Sequence, residues 1–224
     1  MVAVASLVGL VLTVDQRGSR RGPDRVGDLL AAVADAPTRL AFQRTAGDEV
    51  QALVTEPAHL PALVERVLRS GDWRLGLGLG AVQAPLPEDV REARGPAFVR
   101  ARAAVEAART SPAGLRVHAP EPAEASARAL ESALWLWASL LERRTRRGWE
   151  VVDLVDAGAT YEQAAHRLGV TPSAVSQRAA AAGLAEGRRA RELVAHLADL
   201  ALAAARSEAD PAAETHATDR GAQP

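Results

Sequence analysis

The sequence predicts an α+β protein, with a βαββαβ unit in its first half and an all-α part in its second. Three observations carry that reading. The first half alternates short β-rich runs with amphipathic stretches, and the runs end at Gly, Pro or Asp turns. Residues 111–124 carry Pro112, Pro120 and Pro122, which marks a connection between two parts. Beyond it the apolar residues keep helical spacing, and residues 160–182 carry the caps and turn of two short packed helices. The expected division is residues 1–120 for the α+β domain and 121–206 for the helical domain. A polar, disordered tail is expected over 207–224.

Residues 2–14 are apolar and raise the question of a signal peptide. No basic residue precedes them, and Asp15 and Arg17 follow at once. The run is also too short to span a membrane. It reads as a buried strand over 7–14, with a looser extension before it, and it ends at the turn formed by residues 15–19. Val26, Leu29, Leu30 and Val33 have helical spacing, so a helix is expected over 24–35. Two strands over 38–45 and 50–55 flank a hairpin turn at Gly47 and Asp48. A second helix starts at Pro57, carries Leu60, Leu63, Val64, Val67 and Leu68 in one stripe, and closes at Gly71. A strand over 73–82 has glycine at alternate positions, Gly76, Gly78 and Gly80. A helix over 96–110 and a short edge strand over 115–118 complete the half. This ferredoxin-like order predicts an antiparallel sheet with helices on one face.

In the second half a long helix is expected over 122–146, with Leu130, Leu134, Trp137, Leu140 and Leu141 on one stripe. Trp135 and Trp137 read as core or interface anchors. Arg143, Arg144, Arg146 and Arg147 close this helix, where they either complement its dipole or meet phosphates. A helix over 149–156 supports the two short ones. A last helix over 188–205 carries Leu193, Leu197 and Leu200 in a seam that suits a partner helix, within the chain or across a dimer.

Composition limits the possible functions. Hydrophobic residues make up 48% of the 224 and aromatics only 3%, so the core must be built from Ala, Leu and Val. There is no cysteine, which removes disulfides and thiolate metal sites and fits a reducing cytoplasm. A net charge of −1 gives no global basic signal, but residues 141–191 hold nine Arg against six Asp or Glu. A basic module inside a neutral chain is compatible with nucleic-acid binding.

Residues 159–182 are the most informative stretch. Thr160 and Gln163 match a capping box, Gly169 ends the first short helix, and Thr171 with Pro172 starts the second. Ala164, Ala165, Leu168, Val170 and Val175 would face one another across the turn. Ser173, Ser176, Gln177 and Arg178 would face outward, where short polar groups and a cation suit base edges and phosphates. This is the pattern of a helix-turn-helix, and PSAVSQRA resembles recognition helices of bacterial regulators. The other reading is a helical hairpin inside an all-α core. The expected DNA contacts are Thr171, Ser173, Ser176, Gln177 and Arg178, with Arg146 and Arg147 on phosphates.

Four motifs in the first half carry a family resemblance. DxxGSR occurs at Asp15, Gly18, Ser19 and Arg20, and GDE at Gly47, Asp48 and Glu49, followed by Gln51. RLGLGLG runs from Arg74 to Gly80, and GPAFVRAR from Gly95 to Arg102. In this order and spacing they look like the SatD-like family of bacterial proteins, which implies such a domain followed by a helix-turn-helix. More distantly they are similar to the catalytic domain of class III nucleotide cyclases. That likeness implies a cyclase-like fold in which Asp15 and Asp48 hold divalent metal, Mg for example, against a triphosphate. Val99 stands where cyclases carry an Asn, and Arg102 is one residue out of register, so cyclase activity is not expected and no catalytic residue is assigned. Asp48 as a plain turn residue and Asp15 as a strand-end cap are the alternative readings.

The expectation is a cytoplasmic, DNA-binding transcriptional regulator. It would act as a homodimer on double-stranded DNA, with an N-terminal domain that senses, dimerises or binds a nucleotide effector, and with no membrane partner. The alternatives are a metal-dependent nucleotide-binding or nucleotidyl enzyme with an accessory helix-turn-helix, and a protein–protein adaptor.

Overall fold

The computed structural model describes residues 6–19, 21–69 and 71–209. The expected strand extension before Ser6, the motif residue Arg20, and positions 210–224 of the expected tail lie outside the described residues. The chain is α+β. Its elements are β1 (Ser6–Gln16), α1 (Val26–Ala32), β2 (Leu40–Ala46), β3 (Glu49–Val54), α2 (Leu60–Arg69), β4 (Trp73–Gln83), α3 (Pro96–Ala107) and β5 (Leu115–His118). Then follow α4 (Glu124–Glu142), α5 (Arg146–Asp156), α6 (Tyr161–Leu168), α7 (Pro172–Ala181) and α8 (Leu184–Ala209). No helix among the described residues is long and apolar enough to cross a membrane.

The five strands form one sheet in the order β2-β3-β1-β4-β5. The first four pair antiparallel, as expected, but β5 runs parallel to β4, so the sheet is mixed. The cause is the connection through α3, which carries the chain back along the sheet before β5 begins, as a parallel neighbour requires.

Helices cover both faces of this sheet, which corrects the one-face expectation. Alternate side chains of β1 point to opposite sides. Leu10, Leu12 and Val14, with Leu75, Leu77 and Leu79 of β4, enter the main core beside α1, α2, α4 and α8. On the other face Val11, Leu53 and Val82 pack against Ala97 and Ala101 of α3. The alternating glycines of β4 explain how α3 fits. A Cβ on Gly76 would lie 2.4 Å from the Ala101 carbonyl oxygen, and one on Gly78 2.2 Å from the Ala101 nitrogen. The helix backbone therefore rests directly on the strand, and only glycine leaves room for it.

Buried residues do not divide at 120/121. Leu130, Leu134, Trp137 and Leu141 of α4 and Val194, Ala198, Ala201 and Leu202 of α8 share the main core with the sheet. A second, smaller core joins Val151, Val152, Ala164, Ala165, Val175, Ala179, Ala182 and Leu184. The division in packing therefore falls around α5–α7 and leaves α4 and α8 with the sheet.

Three helix expectations change. The helix over 122–146 stops at Glu142, and α5 starts at Arg146 because the Thr145 hydroxyl accepts the Gly148 N–H and caps a new helix. The last helix runs from Leu184 to Ala209, and Glu208 in its final turn pairs with Arg100, so residues 207–209 are helical. The seam of Leu193, Leu197 and Leu200 is not the core face: Leu193 and Leu200 are 48% and 45% exposed. Val194, Ala198, Ala201 and Ala205 face inward, and such small residues let α8 lie close to β4 and α4.

Gly78→Ala should destabilise the protein by about 3 kcal/mol, the upper end of the range for overpacking. Gly27→Ala in α1, where an added Cβ meets nothing, should gain about 0.5–1 kcal/mol by restricting the unfolded chain. Urea denaturation of both variants measures the difference.

Candidate functional site

The α6–α7 pair is built by local chemistry. The Thr160 hydroxyl accepts the Gln163 N–H at 3.2 Å, and the Thr160 N–H donates to Gln163 Oε1 at 2.9 Å, closing the capping box. Gly169 takes a left-handed φ of 64°, and Val170 N–H donates to the Ala165 carbonyl at 3.0 Å. The Thr171 hydroxyl accepts the Ala174 N–H at 3.2 Å, with Pro172 in the first helical position. Val175 and Ala179 are buried against Ala164 and Ala165.

The outward face of α7 is open. Ser173, Ser176 and Gln177 are exposed, and their side chains make no hydrogen bond among the described residues. Arg178 is half-buried and has no ion pair there. Thr171 is exposed, with its hydroxyl engaged as the cap.

The arginine cluster splits. Arg146 and Arg147 occupy the first turn of α5, where a helix dipole disfavours cations, so the dipole reading fails for them. Among the described residues Arg146, 93% exposed, reaches only Glu150, at 3.1 Å, and Arg147 is exposed without an ion pair. Arg144 turns inward. It is 6% exposed, its Nε donates to the Ala182 carbonyl at 2.9 Å, and its guanidinium lies 4.3 Å from the centre of the Trp149 ring. It therefore fastens the end of α4 to the end of α7 and is not free for phosphate.

Further contacts seat α5–α7 against the main core. Arg69 of α2 also lies 4.3 Å from the Trp149 ring centre and forms a bidentate pair with Asp153 at 2.8 and 2.6 Å. Arg191 of α8 grips Glu65 at 2.8 and 2.9 Å and reaches Asp156 at 2.7 Å, where Arg188 also binds at 3.0 Å. The Glu65 hydrogen bonds push the Arg191 pKa up. Several arginines of residues 141–191 are thus structural.

A second site lies at the end of the sheet, on the face covered by α3. A cavity of about 360 Å³ is lined by Asp15, Ser19, Arg21, Asp48, Arg74 and Arg109. Asp15 lies next to Gln16, the last residue of β1, and Asp48 sits in the β2–β3 hairpin. The β1–β3 register, which pairs Asp15 with Glu49, brings the two carboxylates to one cavity. Burial, and then the Asp48 charge, raise the Asp15 pKa, while Arg74 donates to its Oδ2 at 3.0 Å and pulls the other way. Gln16 holds the wall. Its amide donates to the Pro23 carbonyl at 2.7 Å, and its oxygen accepts the Arg25 N–H at 2.8 Å.

Sequence reasoning missed the three arginines of this cavity. Arg74 stood in plain view ahead of the glycine repeat, whereas Arg21 and Arg109 gave no local signal. Arg102 of α3 is taken up by Glu49, at 2.8 Å, and Val99 is 72% exposed. Among the described residues no group of three or more His, Cys, Asp or Glu side chains is arranged to hold a metal ion. Two carboxylates suit Mg when waters and phosphate oxygens complete its shell.

Comparison with family models, with curated proteins and with solved structures finds no match.

The raised pKa gives a signed prediction. The folded state holds the Asp15 proton more tightly than the unfolded chain, whose value is near 3.8. Its contribution to stability is present below that value and lost as pH rises through the higher folded one. Asp15→Asn still accepts from Arg74 and carries no charge. Its Tm at pH 7 should equal or exceed that of the wild type, and the advantage should vanish towards pH 3 in a thermal melt series.

Proposed function

We propose that the protein is a DNA-binding transcriptional regulator, with α5–α7 as its trihelical helix-turn-helix unit. One observation carries this reading: α7, capped at its start and packed through Val175 and Ala179, leaves Ser173, Ser176 and Gln177 exposed and without a side-chain hydrogen bond among the described residues. A rigid helix that offers short polar side chains suits a major groove. Arg146 and Arg147, exposed on the neighbouring helix, supply cations for the flanking phosphates, as does Arg178 on α7 itself. Thr171 contributes through the first turn of α7, where backbone N–H groups favour an anion.

The sheet part is read as the sensing or dimerising domain. The antiparallel order β2-β3-β1-β4, linked through α1 and α2, supports the ferredoxin-like, cyclase-like and SatD-like reading. A homodimer would match two-fold DNA half-sites about one helical turn apart. Its contact is assigned to the exposed Leu193 and Leu200 of α8. Trp137, 2% exposed, offers no surface for that contact, and the partly buried Trp135 has its indole N–H tied to the Leu115 carbonyl at 2.9 Å. The absence of cysteine supports a cytoplasmic setting.

The Asp15–Asp48 cavity favours a second reading, a nucleotide-binding or nucleotidyl function. Arg21, Arg74 and Arg109 outnumber the two carboxylates, which suits a polyphosphate carrying Mg. Val99 presents only methyl groups where a transition-state donor would be needed, so binding without cyclisation is the expected outcome.

Gln177→Ala should relax sequence preference at one base position by about 1–3 kcal/mol. Arg178→Ala should weaken all sequences alike and lower the salt slope by about 1. Binding of a random DNA library, sequenced after selection, reads both, and identical profiles for the wild type and both variants would remove the assignment. For the cavity, Mg with ATP should raise the Tm by mass action, and Asp48→Asn should abolish the rise while the protein stays folded. A shift that survives Asp48→Asn would separate nucleotide binding from this site.

A further inference from the structure

A larger cavity, of about 560 Å³, lies beside α3. Gln51 of β3 borders it from the sheet. One wall is α3, through Phe98, Val99 and Ala103, and the other is the segment between β4 and α3, through Val90 and Ala93. It shares no lining residue with the cavity of Asp15 and Asp48.

Gln51 is 6% exposed, and its amide orientation is fixed by its partners. The Nε2 donates to the Thr13 hydroxyl at 3.1 Å and to Glu49 Oε1 at 3.2 Å. An ionised carboxylate only accepts, so the amide nitrogen must face Glu49 and the amide oxygen must point elsewhere. That oxygen accepts no hydrogen bond among the described residues. It is not among the sealed, unpartnered atoms of the structure, so it keeps a small accessible surface. The charged neighbours are engaged: Arg102 is held by Glu49 at 2.8 Å, and Arg91 is paired with Asp89. The Thr45 hydroxyl donates to Glu49 at 2.7 Å. Glu106 is exposed at the rim. The cavity therefore joins one neutral, unpaired acceptor to apolar walls.

We propose that this cavity binds a small uncharged phenol, whose hydroxyl donates to Gln51 Oε1 and whose ring lies against Phe98, Val90 and Ala93. An acceptor held in a buried side chain is unfavourable without a donor, and a single hydroxyl supplies one. The volume lies within the range of about 300–1,000 Å³ typical of small-molecule sites. An anion would meet the amide oxygen and Glu106, with both arginines already paired. A purine would place several ring nitrogens against side chains that offer them no partner. Water can satisfy the oxygen but leaves the apolar walls wet. The site stands whatever α7 and the Asp15 cavity bind.

The test is a titration of the 15N-labelled full chain with 4-ethylphenol, 4-ethyltoluene and adenosine, followed by backbone amide shifts. The phenol should move amides of residues 90–93 and 98–106. 4-Ethyltoluene has the same outline without the hydroxyl, and transfer out of water alone favours it over the phenol. Binding of the phenol at least about fivefold tighter than the toluene therefore reads the hydrogen bond. Gln51→Met keeps the length and removes the acceptor, and should erase that preference. Ala103→Phe, at an exposed position of α3, fills the cavity without touching the Gln51 contacts and should abolish binding with an unchanged circular dichroism spectrum. The proposal is overturned if the phenol causes no shifts, if the shifts centre elsewhere, if the toluene binds as tightly, or if Ala103→Phe still binds. Adenosine binding in place of the phenol overturns the ligand class.

Discussion

The stacking of Arg69 and Arg144 on Trp149 holds the two cores of this protein together. Trp149 packs against both hydrophobic clusters, and both guanidinium groups lie 4.3 Å from its ring centre. Each cation also has a second grip, Arg69 on Asp153 and Arg144 on the Ala182 carbonyl. Together with Arg191 between Glu65 and Asp156, these contacts tie α2, α4 and α8 to α5–α7 by groups that are partly or fully desolvated. Interactions of that kind are geometrically demanding, since a buried charge tolerates no loss of its partner. The outward face of α7 is therefore presented in one orientation relative to the sheet.

A different constraint shapes the other end of the molecule. Gly76 and Gly78 let the backbone of α3 lie on β4, and that close approach sets the position of every side chain on α3. Arg102 reaches Glu49 for this reason, and the 3-10 turn after α3 delivers Arg109 to the cavity of Asp15 and Asp48. The paired carboxylates come from the strand order, and the arginines around them come largely from how α3 and β4 meet.

Local chemistry was legible in the sequence where it acts over a few residues. The caps at Thr160 and Thr171 and the left-handed Gly169 stand at the positions their spacing implied. The convergence of Asp15 and Asp48 followed from strand ends and a hairpin. Long-range packing was not legible. Nothing around Arg144 announces that it turns inward while Arg146 and Arg147 turn out; that difference depends on the Thr145 cap and on Trp149. The leucine spacing of α8 did not mark the face that packs within the chain, because close packing on a sheet selects Ala198, Ala201 and Ala205 over larger residues. The alternating glycines were visible, but their reason appears only with α3 in contact. Arg21 and Arg109 line the cavity of the carboxylates from segments whose fold positions no local pattern encodes.

The central claim is that α7, held fixed by the Trp149 joint, reads DNA. Genome-wide capture of DNA bound to the intact protein tests it most directly. The account predicts enrichment of a short inverted repeat whose half-sites are centred about 10–10.5 base pairs apart, or a multiple of that spacing. Capture no different from a non-specific background would contradict it.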